Sequence, residues 1–194
     1  MSILPDDDPT DGAGSLQAFR AGFYGCLTAR SDALFELGDA EITSIGDSSG
    51  AFPDGPEFND LTGDAWGTTE AMSQVPSDLR SFPGLLIFAA QRHPDIVFAR
   101  YDHAYDEVQR GYVETLTGKS GDDLLAMIDA NQAQIENAGV NLLSYTAPGD
   151  QHADGLADEA FYSESVGGVD LFDWVTAVVN DEPVDDVRCA DCST

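Results

Sequence analysis

Apolar and polar positions divide the second half of the chain into blocks that predict strands and helices in turn. Short apolar runs at residues 95–101 and 140–145 have the length and composition of buried strands. Apolar residues at helical spacing predict helices over residues 85–92, 107–116, 122–137 and 170–179. A further short strand is predicted at residues 41–45, before a Gly-Asp-Ser-Ser-Gly turn. Strands that alternate with helices predict an α/β fold with a mostly parallel sheet.

The first half of the chain is patterned less clearly. Residues 1–14 are rich in Asp, Pro and Gly, which predicts an acidic flexible arm. Helical spacing returns over residues 15–37, where two glycines weaken it, and residues 65–74 predict a short helix after an irregular stretch. The predicted organisation is therefore an arm at 1–14, an α/β domain at 15–182 and an acidic tail at 183–194.

Charge narrows the choice of partners. The chain has 194 residues, with 36 acidic and 8 basic side chains and a formal net charge of −28, yet 42% of its residues are hydrophobic. Such a charge excludes nucleic acid and anionic membranes as natural partners, because both would be repelled. The apolar content predicts a folded body with an acidic coat, and excess Asp with one lysine is typical of a protein adapted to molar salt.

The cysteines and the apolar runs bear on metal binding and on the location of the protein. Cys189 and Cys192 have the spacing of a zinc-ligand pair, but a structural zinc needs four ligands, so we expect a local disulfide or two free thiols. Neither a metal nor a cofactor is predicted. The start of the chain has no basic or apolar segment typical of a signal peptide, which predicts a cytoplasmic location for the chain as given. The longest apolar runs are too short to span a membrane.

Two loops of the second half carry the polar residues most suited to catalysis. Asp106 lies in the loop after the strand at 95–101, and His152 lies in the loop after the strand at 140–145. In open α/β sheets, active residues gather beyond the carboxyl ends of the strands, and an Asp can orient a His that acts as a base. The alternative is that Asp106 only caps the next helix while His152 is merely exposed. Spacing alone leaves both interpretations open.

Four short motifs carry a family resemblance. Tyr-Asp-Glu-Val-Gln at 105–109 and Pro-Gly-Asp-Gln-His at 148–152 resemble the acid and histidine segments of the pectin acetylesterase and Notum-type carboxylesterase family. The stretch from 166 to 189 is similar to the C-terminal end of microbial members, and Ile-Gly-Asp-Ser at 45–48 resembles a strand end downstream of the family's nucleophile. The resemblance extends over about residues 40–192.

The resemblance implies an α/β-hydrolase-like fold and a serine carboxylesterase activity. Asp106 would be the acid of the triad and His152 the general base, with acetate or another short acid released from a hydroxyl of a small-molecule or carbohydrate ester. Members of this family are often exported.

The nucleophile departs from the family's pattern. The family's Gly-x-Ser-Ala-Gly elbow is matched locally by residues 11–15, where Gly12 takes the place of the serine. Ser48, within Gly-Asp-Ser-Ser-Gly at 46–50, is the replacement candidate, although Pro53 and Pro56 oppose a helix directly after it. Ser48 as a turn-stabilising residue is the alternative. We therefore expect an N-terminally shortened hydrolase-like chain, or an inactive remnant that acts, if at all, as a binding protein.

Overall fold

The computed structural model describes residues 42–51, 73, 75–153, 156 and 159–192. Within these ranges the chain forms six strands, five α-helices and two short 3-10 helices. The strands are β1 (Thr43–Asp47), β2 (Val97–His103), β3 (Leu142–Ala147), β4 (Ser165–Val166), β5 (Val169–Asp170) and β6 (Val187–Arg188). The α-helices are α1 (Phe82–Arg92), α2 (Glu107–Thr117), α3 (Leu124–Asn137), α4 (Ala160–Ser163) and α5 (Leu171–Val179). The 3-10 helices are Ser77–Leu79 and Gly121–Asp123.

Four strands pair in the order β1-β2-β3-β6, and every pairing is parallel. The prediction of an α/β fold with a mostly parallel sheet is thus confirmed. Asp47 lies opposite Tyr101, and Tyr101 lies opposite Tyr145, so the strands end side by side. Because parallel strands share a direction, their following loops emerge at one edge of the sheet, which we call the carboxyl edge.

Side chains that alternate along the strands build a separate core on each face of the sheet. Phe98 and Leu142 pack with Ile87 of α1 and Ile135 of α3 on one face. On the other face, Tyr101 and Tyr145 pack with residues of α5, including the buried Trp174. The sheet is therefore covered by helices on both faces, as an all-parallel sheet requires.

The predicted helices and strands in the second half are present, with ends that shift by a few residues. The helix predicted at 122–137 begins instead at Leu124, after the 3-10 helix Gly121–Asp123. The Ser120 hydroxyl accepts from the Asp122 N–H and so caps that 3-10 helix. Asp123, which precedes α3, makes no side-chain cap bond.

The segment treated as an acidic tail contributes to the sheet. Val187 and Arg188 form β6 beside β3, and the Cys189 N–H donates to the Thr146 carbonyl at 3.0 Å. Arg188 also forms an ion pair with Asp129 of α3. The sequence pattern missed this strand because two residues are too few to show alternation. The predicted arm at 1–14, the helix at 15–37 and the residues aligned with the family's elbow lie outside the described residues.

Candidate functional site

The carboxyl edge brings three loops together, one after each of β1, β2 and β3. Ser48 follows β1 directly, Asp106 lies in the loop between β2 and α2, and His152 lies in the loop after β3. Two backbone bonds tie the last two loops, from Tyr105 N–H to the Gly149 carbonyl and from Glu107 N–H to the Asp150 carbonyl, each at 3.0 Å. All three site residues that the sequence predicted therefore lie at this edge.

Asp106 is the N-cap of α2, as one of the two interpretations expected. Its Oδ1 accepts hydrogen bonds from the backbone N–H groups of Val108 and Gln109, both at 2.9 Å. The side chain is completely buried. The free N–H groups and the positive end of the helix macrodipole both favour a carboxylate at this position.

The second oxygen of Asp106 contacts His152. Nδ1 of the imidazole lies 2.8 Å from Asp106 Oδ2, while the His152 side chain is 32% exposed. An ionised carboxylate can only accept, so Nδ1 carries the hydrogen and Nε2 keeps its lone pair. Asp106 thus caps the helix and orients the histidine at once. The two interpretations that the spacing left open do not exclude each other.

Ser48 contacts the loop after β3 at the backbone of Ala153 rather than at His152. Its hydroxyl donates to Asp47 Oδ1 at 2.9 Å and accepts from the Ala153 N–H at 2.8 Å. Both Ser48 (φ 56°) and Ala153 (φ 52°) have the positive φ that side chains other than glycine rarely adopt. Such strain clusters at functional sites. In the described residues the Ser48 hydroxyl is bonded to these two groups and not to His152.

A second histidine, His103, is buried at this edge. The side chain is 2% exposed, with Nε2 2.8 Å from the Tyr101 hydroxyl and Nδ1 2.7 Å from the Pro148 carbonyl. A carbonyl only accepts, so Nδ1 donates and Nε2 accepts from the phenol. His103 ends β2 and lies beneath the histidine loop, where it supports the Pro148 backbone.

A buried ion pair beneath the site was not predicted from the sequence. Asp102 and Arg100 form an ion pair with Nε and Oδ2 2.6 Å apart, and both side chains are buried. Neither of these two atoms has a hydrogen-bond partner among the described residues, so their charges hold the contact. Burial raises the pKa of Asp102 above its usual 3.8, while Arg100 and the Gly50 N–H oppose that rise. Alternation along β2 indicates on which face these charges lie, but no sequence signal shows that they pair.

Gln109 connects this group to the acid. It is 1% exposed, and its Nε2 lies 3.1 Å from Asp106 Oδ2 and 3.3 Å from Asp102 Oδ1. Its Oε1 accepts the Ala51 N–H at 2.9 Å. The Asp-x-x-Gln motif marks the residue, but the motif alone does not identify these partners.

The remaining candidate sites lie apart from the carboxyl edge. Cys189 and Cys192 form a disulfide, which is one of the two states expected for them. Two adjoining cavities of about 450 and 540 Å³ open near Leu143 and Val184, at the edge where the strands begin. Neither cavity is lined by Ser48, Asp106 or His152. Across the described ranges, no group of three or more His, Cys, Asp or Glu side chains is arranged to hold a metal ion.

Comparison with known proteins adds no relative. No family model, curated protein or solved structure matches the chain. Of the helices in the described part of the chain, none is both long and apolar enough to cross a bilayer.

Proposed function

We propose that this protein is a carboxylic ester hydrolase of the type that the pectin acetylesterases represent, with His152 as general base and Asp106 as the residue that orients it. One observation carries the proposal. A completely buried carboxylate holds Nδ1 of a partly exposed imidazole at 2.8 Å, at the carboxyl edge of a parallel sheet. This arrangement leaves Nε2 directed away from its carboxylate, where a base must meet its substrate.

The proposed chemistry is acyl transfer to a hydroxyl. His152 Nε2 takes the proton as the hydroxyl oxygen attacks the ester carbonyl, and it returns that proton to the departing alcohol. Asp106 stabilises the imidazolium that exists between these two transfers. Water then attacks the acyl group by the same route and releases the carboxylic acid, so the products are one alcohol and one acid.

Ser48 is the candidate nucleophile among the described residues. Its positive φ at a strand end and its place in Gly-Asp-Ser-Ser-Gly agree with a nucleophile elbow. To attack, its hydroxyl has to leave Asp47 and turn towards His152, and the Ala153 N–H then needs another acceptor. These two bonds favour the second candidate function, a protein that binds an ester or another ligand at this edge without turnover.

Hydrolysis of p-nitrophenyl acetate in molar KCl tests the proposal. His152→Ala should abolish turnover, while His93→Ala, at the C-terminal end of α1, is the matched control and should retain it. Activity that survives in Ser48→Ala would exclude Ser48 as nucleophile but keep His152 as base. A wild-type protein that shows no turnover of this ester, and no labelling of Ser48 by a fluorophosphonate, would favour the binding protein.

A further inference from the structure

Gln109 occupies the third position of α2, three residues after the cap Asp106. A Gln at this position commonly completes a capping box, in which its side chain turns back to the backbone N–H of the cap residue. Here the Asp106 N–H bonds the His103 carbonyl instead, at 3.4 Å. The Gln109 amide is therefore not used as a helix cap, and its burial requires another explanation.

The partners of Gln109 determine which way its amide faces. Only its oxygen can accept the Ala51 N–H, and only its nitrogen can donate to the carboxylates of Asp106 and Asp102. Reversing the amide would oppose donor to donor and acceptor to acceptor at all three contacts. The orientation is thus imposed by the network.

This amide joins the acid to the loop after β1. Asp106 Oδ2 receives two N–H donors, one from His152 at 2.8 Å and one from Gln109 at 3.1 Å. On its other side, Gln109 holds Ala51, while the neighbouring Gly50 N–H donates to Asp102 at 2.7 Å. A shift of this loop would therefore move the amide that helps to hold the catalytic carboxylate.

We propose that Gln109 is a positioning residue for the acid–base pair. It holds the Asp106 carboxylate at the angle that keeps the hydrogen of His152 on Nδ1, and it makes that angle depend on the loop at 48–51. This proposal rests on the proposed function, because it assigns Gln109 a task for the same pair. It adds a residue that contacts neither substrate nor imidazole.

The tautomer of His152 provides a test that needs no turnover. In ¹⁵N-histidine spectra of the full chain in molar KCl, we expect the Nδ1–H form to exceed the Nε2–H form by about tenfold or more, because its hydrogen bonds a carboxylate. Gln109→Met keeps the size of the side chain but removes its donors, and the ratio should fall by about threefold or more. Gln109→Leu should behave alike, since this apolar side chain also donates nothing to Asp106.

Ile135→Ala is the matched control. Ile135 is buried on α3 in a core cluster that contains neither Gln109 nor any residue of the loop at 48–51, so its variant should lose stability and keep the wild-type ratio. A ratio that is unchanged in both Gln109 variants would overturn the proposal. If those variants do not fold, His152→Ala replaces them. The Gln109 side-chain amide signals should shift on removal of the imidazole that shares Oδ2, and constant signals would equally overturn it.

The two proposals fail in different ways. If the wild type hydrolyses p-nitrophenyl acetate, Gln109→Met should lower kcat by about tenfold with little change in KM, since orientation rather than binding is lost. If the wild type is active but Gln109→Met changes neither the tautomer ratio nor kcat, only the role of Gln109 is refuted. A wild type with neither turnover nor labelling of Ser48, but with the expected fall in the ratio, would favour the binding protein and leave the positioning role.

Discussion

Substitutions of Asp106 separate its two tasks, since one oxygen caps α2 and the other holds His152. Asp106→Ala removes both. Loss of an N-cap costs about 1–2 kcal/mol. The Gln109 amide would also lose one acceptor in a buried place, where an unsatisfied donor costs about 1–3 kcal/mol. We therefore expect the free energy of unfolding to fall by about 2–5 kcal/mol.

Asp106→Asn should lose much less stability, because its carbonyl oxygen can still accept the N–H groups of Val108 and Gln109. Its NH₂ group then faces His152 Nδ1 and can only donate to it. The imidazole should therefore move its hydrogen to Nε2, which is the wrong tautomer for a base at that nitrogen. The Gln109 amide also loses Oδ2 as an acceptor, so we expect a cost of about 1–3 kcal/mol in stability. If the protein is an esterase, kcat should fall by about 10³- to 10⁴-fold, as in other Ser-His-Asp enzymes.

Urea unfolding in molar KCl, followed by circular dichroism, measures the stability of both variants, and ¹⁵N-histidine spectra report the tautomer. The discriminating quantity is the difference between the two variants. Equal losses of stability would refute the capping role of Oδ1. A His152 that keeps its hydrogen on Nδ1 in Asp106→Asn would refute the hydrogen bond to Oδ2.

Four further predictions concern the disulfide, the two buried titrating groups and the net charge. Replacing Cys189 and Cys192 with serine should lower the free energy of unfolding by about 2 kcal/mol, as expected for so short a loop, and an unchanged urea midpoint would contradict this. Because burial raises the pKa of Asp102, its proton is held more tightly in the folded state, so its contribution to stability is complete below 3.8 and is lost as pH rises through the folded-state pKa. Asp102→Asn should therefore gain stability relative to wild type as the pH of urea titrations is raised above 3.8, and a constant difference would contradict the raised pKa. Burial also raises the pKa of Tyr145 to about 12. In a pH titration followed by phenolate absorbance, the ionisation at the highest pH should therefore be absent in Tyr145→Phe. The melting temperature should rise from 0.1 to 1 M KCl, where the Debye length falls from about 10 to about 3 Å, and a flat profile would contradict strong self-repulsion at −28.

The sequence could predict those parts of the site that depend only on the direction of the strands. Once residues 95–101 and 140–145 are recognised as parallel strands, Asp106 and His152 must emerge at the same edge, and the structure places them in contact. The same logic cannot describe side chains that turn under a loop. His103 stands beside Asp102 at the end of a strand, and nothing in the local pattern shows that its ring is buried and bonded to Tyr101 and Pro148.

Polar contacts between residues far apart in the chain are the other feature that the sequence could not predict. Gln109 reaches Ala51, which lies 58 positions earlier in the chain, and local patterns contain no information about such a partner. The strand β6 was missed for a related reason, since its two residues take their structure from pairing with β3 rather than from their own alternation. In both places the tertiary context, and not local propensity, decides the conformation.

The acid–base pair depends on few elements of the fold. Hydrogen bonds from Ala104, Tyr105 and Glu107 reach the carbonyls of residues 147, 149 and 150, and the His103 side chain reaches residue 148. The two loops are thus joined by a ladder that needs only β2, β3 and the start of α2. Ser48 follows β1 and reaches this unit through Ala153, while Ala51 of the same loop reaches it through Gln109. The orientation of His152 and the supply of a nucleophile are therefore linked only through the loop at 48–51, and an assay of one does not decide the other. For this reason the tautomer of His152 and the labelling of Ser48 have to be measured independently.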